Sequence, residues 1–294
     1  MSWRTVIIST RCKLDLKMGY MVIRGEDTKR IFLDEIALLM IENPAVSLTG
    51  CLLEALVEKK IRVIFCDSKR SPMAELSPYY GSHDSSRKIR MQTDWDETVK
   101  GTVWADIVTE KIRKQSEFLS ELGKETEALL IRSYLGQIAL YDTTNREGHA
   151  AKVYFNAVFG MEFTRSAECL TNAALNYGYG ILLSAFNREI TASGYLTQLG
   201  IFHSNVFNHY NFSCDLMEPF RVLIDRAVYG MELTAFESKE KYALWNTLNQ
   251  MVLINNSHQT VLNAVKIYTR SVFDALNDRD PSKIKFYSIL TEKT

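Results

Sequence analysis

This chain of 294 residues is marked first by what it lacks. Its five cysteines (Cys12, Cys51, Cys66, Cys169 and Cys214) are odd in number, widely spaced and contain no CxxC pair. Neither a zinc ribbon nor a disulfide framework follows from them. The expectation is a reduced, cytoplasmic setting in which most of the five act as small core hydrophobes. No apolar run approaches the ~18–20 residues that a membrane span needs. The opening residues MSWRTVIIST lack the layout of a secretory signal, so no membrane role is expected. GxSxG, P-loop and GxGxxG motifs are all missing. Triad-hydrolase, P-loop NTPase and dinucleotide-binding readings are therefore without support.

Net charge is missing as well, with 35 basic residues against 35 acidic ones. Phosphate binding usually leaves a basic footprint. The asymmetry along the chain is mild: residues 1–90 hold 15 basic and 11 acidic residues, and the remainder 20 and 24. A nucleic-acid partner would have to be held by a local groove or by a basic companion subunit. What is present is ordinary for a soluble globular protein, 46% hydrophobic and 24% charged residues. The length suits one large or two modest domains with a substantial core.

Local patterning divides the chain into three. Residues 1–70 read as strands and turns, with β-rich runs at Thr5–Ile8, Tyr20–Ile23 and Lys29–Leu33. Ile36–Ile41 is apolar and too short for periodicity to separate strand from helix. Leu48–Leu56 reads as a short helix before the strand Arg62–Cys66. Residues 71–94 form a linker, because Pro72, Pro78 and a polar run from Ser82 to Lys88 disfavour a single regular element. Residues 95–294 carry a helical period. It is clearest at Val99, Val103, Trp104, Ile107, Val108 and Ile112, over Ser166–Phe186, at Asp215–Tyr229, and from Val261 to Leu276. The fold class is α+β, an N-terminal β-rich domain followed by a larger all-α domain.

Three segments carry unusual chemistry. In Asn145-Arg146-Glu147-Gly148-His149-Ala150-Ala151 an acid stands among small residues that permit close approach. A helix start capped by Asn145, with Glu147 in the first turn, accounts for the same pattern. The stretch from Gly200 to Asn211 is rich in asparagine and aromatics. Its His203 and His209, six apart, do not share a helix face. Each imidazole could equally be hydrogen-bonded structure. In Asp215-Leu216-Met217-Glu218-Pro219-Phe220-Arg221 the two carboxylates are three apart and face the same way on a helix. Asp-x-x-Glu is also a capping box. Two carboxylate segments and an imidazole make a donor set suited to Mg²⁺ or Mn²⁺. His83-Asp84 imitates a metal-binding dipeptide but has no second set, and His258 sits in a polar turn.

Taken together, the residues are similar to a known family. Asn145-Arg146-Glu147-Gly148-x-Ala150-Ala151 with Tyr154-Phe155, Asn172, Asn176-Tyr177-Gly178-Tyr179, Gly200-x-x-His203 and Asp215-Leu216-Met217-Glu218-Pro219-Phe220-Arg221 resemble the CRISPR-associated spacer-acquisition integrases. Trp3-Arg4-Thr5, Val63–Asp67, Pro78-Tyr79-Tyr80 and His83–Ser86 resemble the subtype II-A branch. The resemblance runs from residue 3 to about residue 275.

It implies a metal-dependent integrase and endonuclease. The 3′-hydroxyl ends of a double-stranded prespacer with 3′ overhangs would attack phosphodiesters at the CRISPR leader-repeat boundary and repeat end. The family's metal ligands fall on Glu147, His203 and Glu218, and its further acidic position on Asp215. The resemblance also implies a homodimer, two of which flank a dimer of a small ferredoxin-like CRISPR-associated partner. It leaves room for the other type II-A adaptation and effector proteins as companions.

Arg146, Arg165 and Arg221 are candidates for holding DNA phosphates, and local ion pairs would explain them as well. Tyr154, Tyr177 and Tyr179 are candidates for stacking on splayed bases, with core packing as the alternative. Two other classes remain open: a stand-alone metal-dependent nuclease, and a non-catalytic DNA-binding scaffold.

Overall fold

The computed structural model describes residues 4–68, 70, 72–76, 82 and 84–290. Trp3, Pro78-Tyr79-Tyr80 and His83 lie outside them. The chain divides into two units, residues 1–83 and 84–294.

The first unit is built on two sheets. Its elements are β1 (Arg4–Ile8), β2 (Lys13–Lys17), β3 (Tyr20–Arg24), β4 (Thr28–Phe32), β5 (Ile36–Ile41), β6 (Ser47–Leu48), α1 (Gly50–Glu58), β7 (Arg62–Cys66) and β8 (Pro72–Leu76). One sheet has the order β1-β5-β7-β8, parallel except for the β7–β8 pair. The other, β4-β3-β2-β6, is antiparallel except for β6. The ambiguous run Ile36–Ile41 is a strand buried at all six positions. A strand in the middle of a parallel sheet is covered on both faces and shows no alternation, which is why its periodicity is uninformative. Leu52 and Leu56 of α1 join Leu14, Met21, Ile36, Leu39 and Val63 in the core.

The second unit is helical. It comprises α2 (Ser85–Thr93), α3 (Glu97–Glu121), α4 (Glu125–Arg132), α5 (Arg146–Phe159), α6 (Leu170–Ala192), α7 (Asn211–Met217), α8 (Arg221–Tyr229), α9 (Ser238–Asn246) and α10 (Val261–Asp278). A small antiparallel sheet, which the sequence pattern did not predict, joins β9 (Met251–Ile254), β10 (Ser257–Thr260) and β11 (Ser288–Ile289) in the order β10-β9-β11. Asn255 and Asn256 both have positive φ, the conformation that a tight hairpin turn demands. His258 follows that turn on β10 and is exposed.

Helix α3 is the axis of this unit. Asp96 caps it, accepting from the Thr98 and Val99 amides at 2.9 and 3.1 Å. Val103, Trp104, Ile107, Val108 and Ile112 are fully buried. The same helix buries Glu110, Lys111, Lys114 and Gln115, so its interior carries charge as well as carbon.

Two departures from the sequence reading have physical causes. The stretch expected as a linker, 71–94, contains β8 and α2. Pro72 stands at the first position of the edge strand β8, where its missing N–H costs nothing. The helix expected over 215–229 is broken into α7, a 3₁₀ turn Glu218–Phe220, and α8. Pro219 cannot donate to the carbonyl four residues back, and the chain tightens there. The cysteines are all free; Cys12 and Cys66 are buried, whereas Cys51 and Cys169 are exposed rather than core.

Gly178 of α6 lies against Ile224 of α8, and a Cβ at 178 would collide with the Ile224 side chain. Gly180, two residues on, faces open space. Gly178→Ala should therefore destabilise the fold by ~1–3 kcal/mol through overpacking. Gly180→Ala should be neutral or stabilising by up to ~1 kcal/mol, since alanine is the better helix former. Melting curves of the two variants check this, and a shift in the same direction for both would contradict the close α6–α8 contact.

Candidate active site

Three backbone devices bring the predicted acids and histidine to one region of the helical unit. Glu147 is in the first turn of α5. Asn145 does not cap that helix: it has a left-handed φ of 51° and makes no side-chain cap bond. Asp142 does so instead, accepting from the Arg146 and Glu147 amides at 2.9 and 2.8 Å. Glu218 opens the 3₁₀ turn between α7 and α8. That turn is propped from the C-terminal segment, where the Tyr287 hydroxyl donates to the Pro219 carbonyl at 3.0 Å and the Tyr287 ring packs on Phe220. His203 lies in the loop that precedes α7, and its neighbour Phe202 stacks on the buried Trp104 at 4.3 Å.

Lys111 of α3 joins the two acids. Its Nζ donates to Glu147 Oε1 and to Glu218 Oε2, each at 2.5 Å. The two oxygens are thus within about 5 Å of one another. Arg221 Nε donates to the other Glu218 oxygen, Oε1, at 2.9 Å. Burial acts against the Glu218 carboxylate, but Arg221 and Lys111 outweigh it and hold its pKa well below the usual range. For Lys111 the balance also favours the charged form: burial opposes it, and Glu218 and Glu147 raise its pKa.

Asp215 is completely buried and engages both its oxygens. Oδ2 accepts from the Ile201 and Phe202 amides at 2.7 and 3.1 Å. Oδ1 accepts from the His203 amide at 3.1 Å and pairs with His203 Nδ1 at 2.5 Å. Gly200 allows this cradle: a Cβ there would strike the His203 carbonyl oxygen and Asp215 Oδ2. The hydrogen bond to Asp215 raises the His203 pKa, burial offsets part of that, and the charges of Asp215, Glu218 and Glu147 add to it. Asp215 is therefore committed to holding the histidine, and it turns Nε2 free of that contact. The Asp-x-x-Glu pattern is not a capping box here, because Asp215 lies inside α7.

A cavity of about 210 Å³ opens beside the carboxylates, lined by Glu147, Glu218, Arg221, Arg165, Tyr179 and Gln115 among others. The Arg165 guanidinium is held by the side-chain oxygens of Asn172 and Asn176, and both Arg165 and Arg221 lie over the Tyr179 ring. Arg146 is away from this cluster, over Tyr134.

The tyrosines need correction. Tyr154 is fully buried, and Tyr177 is 4% exposed with its hydroxyl accepting from Trp245 Nε1. Neither offers a ring face to a DNA base. The Tyr154 and Tyr179 hydroxyls both donate to Asp225, whose pKa burial pushes up to about 6. His209 does not join His203; its carbonyl accepts from Thr197.

The donor set suits a hard divalent ion: two carboxylates within about 5 Å, and an imidazole fixed by a third carboxylate, that of Asp215. As they stand, no three His, Cys, Asp or Glu side chains among the described residues form a group that could hold an ion. The carboxylate pair is closed on Lys111 instead.

Sequence patterning missed Lys111, Gln115, Asp142 and Asp225. Charged or amide residues on a long amphipathic helix read as its solvated face, and Lys111 and Gln115 gave no other signal. Asp142 carried a weak one, an acid a few residues ahead of a helix start.

Comparison with known proteins identifies the family and the fold. The profile of the family described as "CRISPR associated protein Cas1" matches residues 5–266. A protein named CRISPR-associated endonuclease Cas1 from Neisseria meningitidis serogroup C (strain 8013) is 32% identical over 299 residues, covering 100% of this chain and 98% of the relative. A solved casposase bound to integration product matches with a TM-score of 0.77 at 18% identity, over 94% of this chain and 91% of its own. A chain of a Cas6-RT-Cas1–Cas2 complex matches with a TM-score of 0.73 at 16% identity, over 99% of this chain, which spans 36% of that longer one. At such identities these two likenesses are of fold.

The raised His203 pKa has a pH signature. A histidine whose folded pKa lies above its ordinary 6.5 stabilises the fold below that value and loses the contribution as pH rises through the folded pKa. In the presence of chelator, the melting-temperature advantage of wild type over His203→Ala should therefore shrink from about pH 6 to about pH 9. A constant gap across that range would contradict a charged His203–Asp215 pair.

Proposed function

Because the chain belongs to the Cas1 family of CRISPR-associated proteins, we propose that it is a metal-dependent DNA strand transferase of CRISPR adaptation. The observation that carries this reading is the convergence of Glu147 and Glu218, from α5 and the α7–α8 turn, on one cation position beside a cavity lined by two arginines. In this proposal Glu147, His203 and Glu218 hold Mg²⁺ or Mn²⁺. When bound, the ion neutralises charge on the reacting phosphate and lowers the barrier to attack by a 3′-hydroxyl.

The chain's own residues do the remaining work. Asp215 keeps the His203 ring oriented and its Nδ1 occupied, which leaves Nε2 as the nitrogen that would hold an ion. Arg221, anchored on Glu218, and Arg165, anchored on Asn172 and Asn176, present guanidinium groups along the cavity. A phosphate oxygen entering there would meet planar donors already held in place. Tyr179 is pinned through its hydroxyl to Asp225 and serves as the floor on which both guanidinium planes rest. Attack of the 3′-hydroxyl joins the prespacer to the 5′ side of the repeat and releases the displaced 3′-oxygen. The same constellation with water as nucleophile cuts DNA.

Two of the similar structures support the substrate and partner. The casposase is described as bound to an integration product, and the longer neighbour as part of a complex with Cas2. With a formal net charge of zero, the chain would share DNA binding with such a small partner, two integrase dimers flanking one partner dimer. A scaffold role fits less well. Burying Glu218 at 4% exposure next to a second acid is costly and serves no scaffold purpose.

A strand-transfer assay tests the proposal. Labelled duplex with 3′ overhangs is mixed with a plasmid carrying a leader and repeat, the small partner and Mn²⁺. Joining at the repeat edge should be lost with chelator and fall by at least about a hundredfold in Glu147→Ala and His203→Ala. Asp215→Asn, which loosens the histidine without removing a proposed ligand, should lose about 10–100-fold. Plasmid cutting without joining would favour the stand-alone nuclease, and joining that survives both alanine variants would mean the site is elsewhere.

A further inference from the structure

The metal-dependent reading above raises a question of space around Glu218. Lys111 Nζ holds Glu218 Oε2 and Glu147 Oε1 at 2.5 Å each, and Arg221 Nε holds Glu218 Oε1 at 2.9 Å. Both oxygens of Glu218 are thereby committed to protein cations. A divalent ion shared by Glu147 and Glu218 competes with the ammonium for the space between them, and a +1 and a +2 charge repel at that range. The two acids and the two bases already balance one another; an added divalent ion takes the cluster to a double positive charge, and withdrawal of one cation halves that excess.

The fold provides a place for that cation to go. Gln115 is one helical turn beyond Lys111 on α3, so the two side chains project from the same face of the helix. Gln115 is 3% exposed, and its Oε1 is a buried acceptor without a hydrogen-bond partner among the described residues. Both residues line the same cavity of about 210 Å³. A buried acceptor left unpaired is costly and needs a reason. An ammonium arriving from Lys111 supplies one.

We propose that Lys111 is a displaceable counter-ion of the Glu147–Glu218 pair. It clamps the two carboxylates until a divalent ion takes them, and then swings its ammonium to Gln115 Oε1. This rests on the metal-site reading, and it makes two substitutions on one helix act in opposite directions on ion affinity.

The test is calorimetric titration of the full chain with Mn²⁺ alone, with melting curves in chelator as a check of folding. Lys111→Met removes the competitor and should tighten Mn²⁺ binding by on the order of tenfold, the lower end of what partners of ligands contribute. It should also melt lower than wild type in chelator and gain more from Mn²⁺. Gln115→Leu removes the receiving acceptor and should weaken Mn²⁺ binding severalfold. In the unaltered chain, acylation of Lys111 by a lysine-selective reagent, read by mass spectrometry, should rise when Mn²⁺ is added. Glu147→Ala is the control for the site itself. If it abolishes Mn²⁺ binding while Lys111→Met leaves affinity unchanged or weaker, the counter-ion proposal falls and the metal site stands. If Glu147→Ala binds Mn²⁺ like wild type, both fall. Should Lys111→Met not fold, unchanged affinity in Gln115→Leu together with unchanged acylation overturns the proposal.

Discussion

Two ionised carboxylates brought together inside a helical domain need a cation between them. Glu147 and Glu218 approach within about 5 Å, where their mutual repulsion at an effective dielectric of 20 is about 3 kcal/mol. Lys111, at half that distance from each, reverses the sign of the arrangement. The requirement explains why α3, the central helix, carries charge on a buried face. A second pair one turn on, Lys114 with Glu110 at 2.8 Å, treats its interior charge in the same way. The elements that carry the acids meet their counter-charge on α3.

Much of the architecture was legible from local pattern. Alternating and β-branched runs marked β1, β3, β4 and β7, and the 3.6-residue period marked α3, α6 and α10. Where patterning was silent, the reasons are physical. The strand β5 is buried on both faces and has no period to read. β2, with Lys-Leu-Asp-Leu-Lys, alternates over too few residues to stand out from its turns. The small β9–β10–β11 sheet is assembled from a hairpin and a segment more than 25 residues further on, a pairing that no local window contains.

The candidate site divides in the same way. Glu147, His203, Asp215 and Glu218 were singled out from their motifs, and the structure brings these segments to one region. The contacts that define their chemistry were not readable. Lys111 is 36 residues from Glu147 and 107 from Glu218, and only the folded chain relates them. The asparagine expected to cap α5 sits in a left-handed conformation while Asp142 does the capping. The tyrosines illustrate the reverse error. Tyr154 and Tyr177 have the composition of a stacking platform, but their rings are enclosed in the core and their hydroxyls hold Asp225 and Trp245. Asn172 and Asn176, which entered only as part of a motif, turn out to hold Arg165.

The prop beneath Glu218 has a consequence for how relatives are compared. The family profile ends at residue 266, but the tyrosine that supports the Pro219 carbonyl is at 287, anchored in turn by Lys114 against its ring at 3.8 Å. One face of the turn that carries Glu218 is thus set by a stretch of chain beyond the residues that the shared profile matches. Within a lineage that stretch can drift in sequence only as far as the turn tolerates. A member built with a different tail must hold the same acid by other means. The matched region holds both acids of this site but only part of the foundation beneath them.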